Sequence, residues 1–549
     1  MSASDKKKLR KEQNAATLTE KQLKEQKEAK KLKTYTITFA VVMLLVVAIV
    51  IGVVLRNPVQ SAINRNTHAI SFGEHKLSTA DFSYYYVDAI TEYYNGVYSD
   101  YGESFGNYWS MFLGFNTGEP LNEQIYDEEK GTTWAQWFVD TAIQNAKQSY
   151  AIYDEAMENN HKLTEDEQKE LDLVEKNMTT LATYYGYSNI NDYIRASYGN
   201  GANLENYKNY ATVNAYVSSY LTAKTDSLEY TNDEIREYEK DKFLNYTKFD
   251  FCYYLIDVKD YLGEGTKGED GKVTHTEQQK DDALAAAKKD ADSFLKAGIT
   301  DAEKFDKAVK ALDINKDNKN AACIQNNDVF YGNLGYKEIQ DWLGDDDRKA
   351  KDFDCVPIIN KTGEGEDAKE EISGYLVILF QERDDCYTNL VSVRHMLSEF
   401  TFYWDAEGNK KVDEASKLKV KKEAEAWLKE WKDGKATEES FAELANKYSD
   451  DGDGKSGGLY EDVFPGQMVE AFNDWCFDKD RKPGDTAVIE TEYGYHVMYF
   501  VETQEDTYRD ALIEADMVTE DVTDWMDKLA DAMKVEQVNL KGLDWDFVV

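Results

Sequence analysis

Residues 34–55 form an unbroken stretch of 22 residues without a charged side chain, TYTITFAVVMLLVVAIVIGVVL. A helix of this length can cross a hydrocarbon layer about 30 Å thick. The stretch is longer than the apolar core of a cleaved secretion signal, which usually has about 7–15 residues. A buried helix of a water-soluble domain would rarely lack all charge over about six turns. We therefore predict a retained transmembrane helix at 34–55, and because no cysteine follows it directly, we exclude a lipid anchor.

Charge is distributed unevenly on the two sides of this stretch. Residues 1–33 contain ten Lys, one Arg and five acidic residues, a net charge of +6, whereas the whole chain carries −41 and the remainder therefore −47. Basic residues that flank a transmembrane helix stay on the cytoplasmic side. We therefore predict a basic cytoplasmic tail at 1–33 and an extracytoplasmic body, held at the cell membrane by one span. Nucleic acid is not an expected partner, because so acidic a body repels it.

The first part of the body, residues 66–246, is predicted to be a mainly helical module. Residues 68–77 have the pattern of two short strands around a Gly turn, and apolar residues recur at helical spacing between 132 and 239. Eleven aromatic residues between 82 and 109 allow two interpretations, an exposed surface that holds unfolded chains or a helix core with Tyr-rich loops. These residues are Phe82, Tyr84, Tyr85, Tyr86, Tyr93, Tyr94, Tyr98, Tyr101, Phe105, Tyr108 and Trp109.

Two segments of the body repeat one another. The matching pairs are 341–349 (DWLGDDDRK) with 474–482 (DWCFDKDRK), 374–382 (GYLVILFQE) with 494–502 (GYHVMYFVE), and 251–255 (FCYYL) with 393–397 (VRHML). The first two pairs differ in spacing by 13 residues, which an insertion at 361–371 of the first copy explains. We therefore predict two copies of one α/β domain, at 247–385 and 391–503. Chance similarity between acidic segments is the alternative.

The second copy contains a characteristic order of motifs. Two apolar strands contain one histidine each, His395 and His496, and between them lie a Gly/Asp loop at 449–459 and the sequence Gly-Gln-Met at 466–468. This order resembles the parvulin-type peptidyl-prolyl isomerase domain, and the helical module before it resembles SurA/PrsA-type extracytoplasmic foldases. The resemblance implies a peptidyl-prolyl cis-trans isomerase that acts on newly exported, unfolded polypeptides and uses neither a metal nor another cofactor.

The resemblance also assigns individual residues to the site. Catalysed rotation about an Xaa-Pro bond requires an apolar pocket for the proline ring and hydrogen-bonding side chains that respond as charge redistributes over the amide. The implied catalytic residues are the paired His395 and His496, the polar residue Asp451, and Ser449 and Thr491, which extend the hydrogen-bond network. The implied proline pocket consists of Leu459, Met468 and Phe472, with Phe464 beside them.

The first copy and one loop of the second copy depart from this pattern. At the positions of His395 and His496 the first copy has Tyr253 and Leu376, so we expect it to keep the fold without the chemistry. Residues 457–465 read GGLYEDVFP, where the family commonly has Gly-Gly-Asp-Leu-Gly. The histidines favour the enzyme, whereas the remodelled loop favours the alternative, a non-catalytic holdase or surface-interaction protein. No Arg/Lys cluster accompanies the loop, so phosphorylated substrates are not expected.

Residues 504–549 end the chain with a predicted amphipathic helix at 518–534 and a strand at 535–540. The foldase resemblance implies that this segment completes the module at 66–246. The five cysteines lack CxxC spacing and indicate neither a metal site nor a dense disulfide framework. The expected fold class is α+β, with one transmembrane helix, a helical chaperone module, two tandem parvulin-like domains of which the first is degenerate, and a returning C-terminal segment.

Overall fold

The computed structural model describes residues 59–101, 113–267, 272–362, 369–405, 408–452, 456–540 and 543. The predicted cytoplasmic tail and the predicted transmembrane helix at 34–55 lie outside these residues. Among the helices that are described, none combines the length and the apolar character needed to cross a membrane. The chain divides into two compact units, one formed by residues up to 228 together with those from 520 onward, and the other by residues 229–519.

The first unit begins with a hairpin and continues with helices. Its elements up to residue 228 are strands β1 (His68–Phe72), β2 (His75–Ser78), β3 (Ile125–Asp127) and β4 (Thr132–Thr133), and helices α1 (Thr79–Tyr101), α2 (Trp134–Glu158), α3 (Glu165–Asp172), α4 (Val174–Tyr184), α5 (Ile190–Tyr198) and α6 (Leu204–Asp226). Polar side chains cap several helix starts: Thr164 caps α3 and Asn203 caps α6, each in a reciprocal capping box. Such caps satisfy backbone N–H groups that have no partner within the helix.

The aromatic residues of α1 form core rather than an exposed surface where they are described. Phe82, Tyr84, Tyr85 and Tyr86 are all at most 3% exposed, and most of them pack in one apolar cluster with residues of α2. Tyr98 is 46% exposed, and the aromatic residues from 105 to 109 lie outside the described part of the chain. The described residues therefore favour the helix-core interpretation of this stretch.

The second unit contains two four-stranded antiparallel sheets. The elements up to the end of the first sheet are α7 (Asn232–Glu239), β5 (Lys248–Asp257), β6 (Thr266–Lys267), β7 (Val273–Thr274), α8 (Glu277–Phe294), α9 (Ala302–Ala311), β8 (Ile324–Phe330), α10 (Lys337–Leu343), β9 (Phe353–Thr362) and β10 (Lys369–Asp384). Those that follow are β11 (Asn389–Glu399), β12 (Phe402–Trp404), β13 (Lys410–Val412), α11 (Glu414–Asp433), α12 (Glu438–Tyr448), β14 (Leu459–Val463), α13 (Glu470–Cys476), β15 (Thr486–Glu490), β16 (Gly494–Thr507) and the first part of α14 (Tyr508–Ala532). The chain then continues into β17 (Val535–Val538), which lies in the first unit.

The two sheets have the same strand order and the same register at their centres. The orders are β8-β5-β10-β9 and β14-β11-β16-β15. Tyr253 lies opposite Ile378 in the first sheet, and His395 lies opposite Met498 in the second, which are the positions that the sequence repeat aligns. A local detail repeats as well. The guanidinium of Arg348 covers the Trp342 ring in the first copy, and Arg481 covers Trp475 in the second, at 3.9 and 4.1 Å from the ring centroids.

The C-terminal strand belongs to the first unit. Strand β17 pairs antiparallel with β1, and the resulting sheet has the order β17-β1-β2. The pairing joins residues 70 and 538, so the last described strand of the chain lies next to the first.

A buried arginine connects separate segments of the second unit. Arg509, in the first turn of α14, is 0% exposed, and its Nε donates to the carboxylate of Glu239 at the end of α7. Its terminal nitrogens donate to the carbonyl oxygens of Tyr246 at 2.8 Å, Asp385 at 3.0 Å and Phe243 at 2.6 Å. One cation therefore binds the start of α14 to α7 and to the segment between the two sheets.

Candidate active site

Two histidines meet on one face of the second sheet. Strands β11 and β16 are its central pair, with Leu397 opposite His496 and His395 opposite Met498. His395 and His496 are therefore diagonal neighbours, a position from which ring side chains can touch. The Nδ1 atoms of the two rings lie 3.2 Å apart, and the residues are only 3% and 6% exposed.

The face that carries the histidines is otherwise apolar. Successive residues of a strand point to opposite faces, so Met396 and Val497 pack with α11 and α12 on the other side of the sheet. On the histidine side the sheet packs against Phe472 and Trp475 of α13. The ring of Phe472 stands edge-on to both histidines, with centroids 5.4 Å from His395 and 5.6 Å from His496.

The Gly/Asp loop brings a carboxylate to His395. The His395 Nε2 lies 3.0 Å from Asp451 Oδ2, and the hydroxyl of Tyr460 donates to the same oxygen at 2.9 Å. These hydrogen bonds, the one from His395 first, lower the pKa of Asp451 to about 2 against the opposing effect of burial. Ser449 positions the loop, because its Oγ accepts from the backbone N–H of Leu397 at 3.0 Å and of Asp451 at 3.2 Å.

Gly457 and Gly458, at the end of this loop, allow the loop backbone to lie close to β11. Gly458 has a φ of +66°, a conformation that L-residues with a side chain rarely adopt. Its carbonyl accepts from the backbone N–H of His395 at 2.8 Å. A Cβ at residue 458 would lie 2.1 Å from the carbonyl oxygen of His395. A glycine is therefore required at residue 458 for this strand pairing.

The second histidine has a hydroxyl partner. The Thr491 Oγ1 lies 2.9 Å from His496 Nε2, and the backbone N–H of Tyr493 donates to the same hydroxyl at 3.2 Å. Burial and, to a smaller extent, the neighbouring His395 lower the pKa of His496 to about 4 against the opposing effect of Asp451. The imidazole of His496 is therefore neutral near pH 7.

One arrangement of protons satisfies the contacts of both rings when each ring carries a single N–H. Asp451 is an ionised acceptor, so the nitrogen that faces it, Nε2 of His395, carries the hydrogen. With its single hydrogen on Nε2, His395 has an acceptor at Nδ1, so Nδ1 of His496 donates to it. This leaves Nε2 of His496 as an acceptor for the hydroxyl of Thr491. The hydrogen bonds therefore run in one direction, from Thr491 through His496 and His395 to Asp451.

A cavity of about 420 Å³ opens beside this network. Of the predicted pocket residues, Met468 and Phe472 line it. Leu459 lines a smaller neighbouring cavity with Ser449 and Gly458. Phe464 stacks on Tyr508 instead, with ring centroids 4.3 Å apart and an interplanar angle of 1°, so the structure does not bring it into the pocket. The remaining residues around the cavity are His395, Leu397, Glu399, Asp450, Asp451, Tyr460, Gln467, Val469, Tyr493 and His496.

Several of these lining residues are absent from the sequence-based assignment. Tyr460 contacts Asp451, and Glu399, Gln467 and Tyr493 complete the rim. Strand alternation alone would have placed Tyr460 away from a pocket that contains Leu459. The register pairs Tyr460 with Val393 and so places it on the histidine face. Tyr493 lies two residues after Thr491, and its backbone N–H donates to the Thr491 hydroxyl. Gln467 belongs to the Gly-Gln-Met sequence at 466–468, whereas no motif marks Glu399.

Comparison with known proteins identifies the type of the second domain. Residues 403–502 match the family model described as "Rotamase: PPIC-type PPIASE domain". Asp451, Thr491 and His496 lie inside the matched segment, and His395 lies just before it. The chain is also similar to the Foldase protein PrsA 1 of Listeria monocytogenes serotype 4b (strain F2365), with 30% identity over 115 residues. It has 29% identity over 115 residues with the Foldase protein PrsA 1 of Listeria innocua serovar 6a.

These similarities cover part of each protein. The match to the L. monocytogenes foldase includes 19% of this chain and 38% of that protein, and the match to the L. innocua foldase has the same extent. Among solved structures, PrsA from Bacillus subtilis matches with 13% identity over 77% of this chain and 98% of its own, at a TM-score of 0.28. Taken with the family model, the two curated foldases confirm the resemblance inferred from the sequence: the chain carries a parvulin-type, PPIC-family rotamase domain and is similar to PrsA foldases.

Proposed function

We propose that this chain is a membrane-anchored extracytoplasmic foldase that catalyses cis/trans isomerisation of Xaa-Pro bonds in newly exported, unfolded proteins. The observation that carries the proposal is the hydrogen-bonded pair His395 and His496 beside a cavity to which Met468 and Phe472 contribute apolar surface, in a PPIC-type domain. The uncharged stretch at 34–55 and the basic residues before it support the anchor and its orientation. The proposed reaction requires no cofactor.

The geometry suits a reaction that makes and breaks no covalent bond. Rotation about the amide has a barrier of about 18–20 kcal/mol, because the C–N bond has partial double-bond character. Met468 and Phe472 offer an apolar surface to the proline ring. As the amide twists, its nitrogen lone pair becomes localised, and a fixed polar network beside it stabilises that state more than the planar one. The one-directional hydrogen bonds from Thr491 to Asp451 hold such a network in place.

The first domain is proposed to be a non-catalytic copy. It has the strand order of the second sheet, and the register places Tyr253 and Leu376 where the second has His395 and His496. Leucine offers no hydrogen bond, and the tyrosine hydroxyl cannot reproduce the paired imidazoles. The likeness therefore supports a retained fold without the reaction.

A chaperone function of the first unit is supported by an exposed aromatic surface outside the stretch at 82–109. Tyr184 at the end of α4 is 80% exposed, Tyr185 is 61% exposed and Leu181 is 41% exposed. Tyrosine combines apolar area with a polar hydroxyl and suits contacts that remain partly hydrated. We propose that this surface contacts unfolded polypeptides while the second domain acts on their proline bonds.

The test is isomerisation of a short Xaa-Pro peptide by the full chain and by two variants. His496→Leu introduces the residue that the first domain has at this position, and it should lower kcat/KM at least about tenfold, because it breaks the network in the middle. Tyr253→Phe, a change in the first domain at the position that aligns with His395, should leave kcat/KM unchanged. Undiminished catalysis by a folded His496→Leu variant would refute the assigned site. Absence of catalysis by the wild type would favour the non-catalytic holdase.

A further inference from the structure

The rim of the active-site cavity carries negative charge. Three carboxylates line it, those of Glu399, Asp450 and Asp451. No Lys or Arg belongs to the lining among the residues that the structure describes, and Lys455, in the same loop, lies outside them. Asp451 is occupied by His395 and Tyr460. The carboxylates of Glu399 and Asp450 are therefore the two at the rim that do not contact the histidine network.

The backbone holds these two residues together at the end of β11. The N–H of Glu399 donates to Asp450 Oδ2 at 3.1 Å, and the N–H of Asp450 donates to the carbonyl of Leu397 at 2.8 Å. Both residues are exposed. Neither forms an ion pair with a basic side chain within the described ranges, whereas Glu438 in the same domain pairs with Arg394 at 2.9 Å. Two uncompensated carboxylates therefore stand at the mouth of the cavity.

We propose that Glu399 and Asp450 make this site prefer Xaa-Pro bonds in which Xaa, the residue before proline, is Lys or Arg. The inference rests on the proposed isomerase function and assigns its substrate class. A peptide whose proline ring contacts Met468 and Phe472 places the adjoining side chains at the rim. Opposite charges a few ångström apart at a hydrated surface attract one another, and like charges repel. Together the two carboxylates should separate a Lys peptide from a Glu peptide by about tenfold.

The net charge of the whole chain could also produce a preference for basic peptides, so the test must distinguish this general attraction from the local effect of the rim. A body with a net charge of −47 beyond residue 33 attracts every basic peptide. The local effect is isolated by comparing two double variants with the same change in charge. Glu399→Gln with Asp450→Asn (the rim variant) removes these two charges from the rim, and the amide oxygen of Asn can still accept the bond from residue 399. Glu425→Gln with Asp433→Asn neutralises one Glu and one Asp on α11, which packs on the opposite face of the sheet.

The experiment measures kcat/KM of the full chain for three peptides that differ only in having Lys, Ala or Glu before proline. We expect kcat/KM to fall in the order Lys, Ala, Glu. The Lys and Glu peptides should differ by at least about tenfold at low salt and by a smaller ratio in 0.5 M NaCl. The rim variant should reduce the Lys-to-Glu ratio to within about twofold, and the α11 variant should keep the wild-type ratio. Circular dichroism melting establishes that both variants are folded.

Two outcomes would overturn the preference: equal kcat/KM for the Lys and Glu peptides with the wild type, or equal loss of the ratio in both double variants. Failure of the isomerase function is a separate result, since it appears as absence of catalysis for all three peptides. In that case the fluorescence anisotropy of labelled Lys-Pro and Glu-Pro peptides still measures the preference as a ratio of Kd values. Equal Kd values for the wild type would overturn the inference without reference to catalysis.

Discussion

The Nδ1 atoms of His395 and His496 lie 3.2 Å apart, although the two residues are 101 positions apart in the chain. One hydrogen occupies this contact, and Asp451 at one end and Thr491 at the other decide which ring supplies it. Because each ring is both a donor and an acceptor, a change at either end alters the hydrogen bonds of the whole series. The first three predictions follow from this coupling.

The proton arrangement can be observed directly. We expect His395 to carry its hydrogen on Nε2 and His496 on Nδ1 at neutral pH, because Asp451 accepts from the first ring and Thr491 donates to the second. Long-range ¹⁵N–¹H spectra of the ¹⁵N-histidine-labelled chain, which has six histidines, distinguish the two tautomers. The variants His395→Gln and His496→Leu assign the signals. The same tautomer on both rings would contradict the derived direction of the network.

Removal of the terminal hydroxyl should weaken both the site and the fold. Thr491→Val keeps the shape of the side chain but leaves Nε2 of His496 without its donor, and an unsatisfied buried acceptor costs about 1–3 kcal/mol. We expect a fall in kcat/KM of about tenfold, equivalent to about 1.4 kcal/mol. Thr491→Ser retains the hydroxyl and should recover most of this loss. A Val variant as active as the Ser variant would show that the hydrogen bond is dispensable.

The neutral His496 should make the second domain less stable in mild acid. Its pKa is about 4 in the folded protein and about 6.5 when unfolded, so the unfolded chain takes up a proton first as the pH falls. Stability is therefore fully present above pH 6.5 and declines toward pH 4 by about 3 kcal/mol. Hydrogen exchange in peptides from β11 and β16 between pH 7 and 4.5 measures this opening free energy. The decline should be smaller in His496→Leu, and an equal slope in the variant would contradict the assignment.

Loss of the buried guanidinium should destabilise the second unit. Arg509→Met removes one partner from the buried carboxylate of Glu239 and the guanidinium donor from three carbonyl oxygens. Breaking a buried pair in this way costs about 3–5 kcal/mol, and urea unfolding should show it. Lys429→Met, which removes an exposed helix pair with Asp433, should change stability by about 0.5 kcal/mol or less. Similar effects of the two substitutions would refute the structural role of Arg509.

The residues of the hydrogen-bond network are more fully predictable from the sequence than those of the proline pocket. His395, Asp451, Thr491 and His496 are named from the chain and are joined by hydrogen bonds in the structure. Phe464 is predicted beside the pocket but stacks on Tyr508. It directly follows the end of β14, and its packing partner there depends on which segment of the folded chain lies nearby. Here that segment comes from the start of α14, more than forty positions later in the chain.

The sequence alone determined the uncharged stretch and the repeat, which depend on local composition and on periodicity. The resemblance of its motif order to parvulin-type domains indicated the domain type and the residues of the hydrogen-bond network. Only the tertiary structure decided that Tyr460 shares Asp451 with His395, that Glu399 and Asp450 meet at the rim, and that β17 pairs with β1. These contacts join residues that are distant in the chain, and a single sequence contains no periodic signal for them. They depend on strand register and on the path of loops, which packing of the whole domain selects.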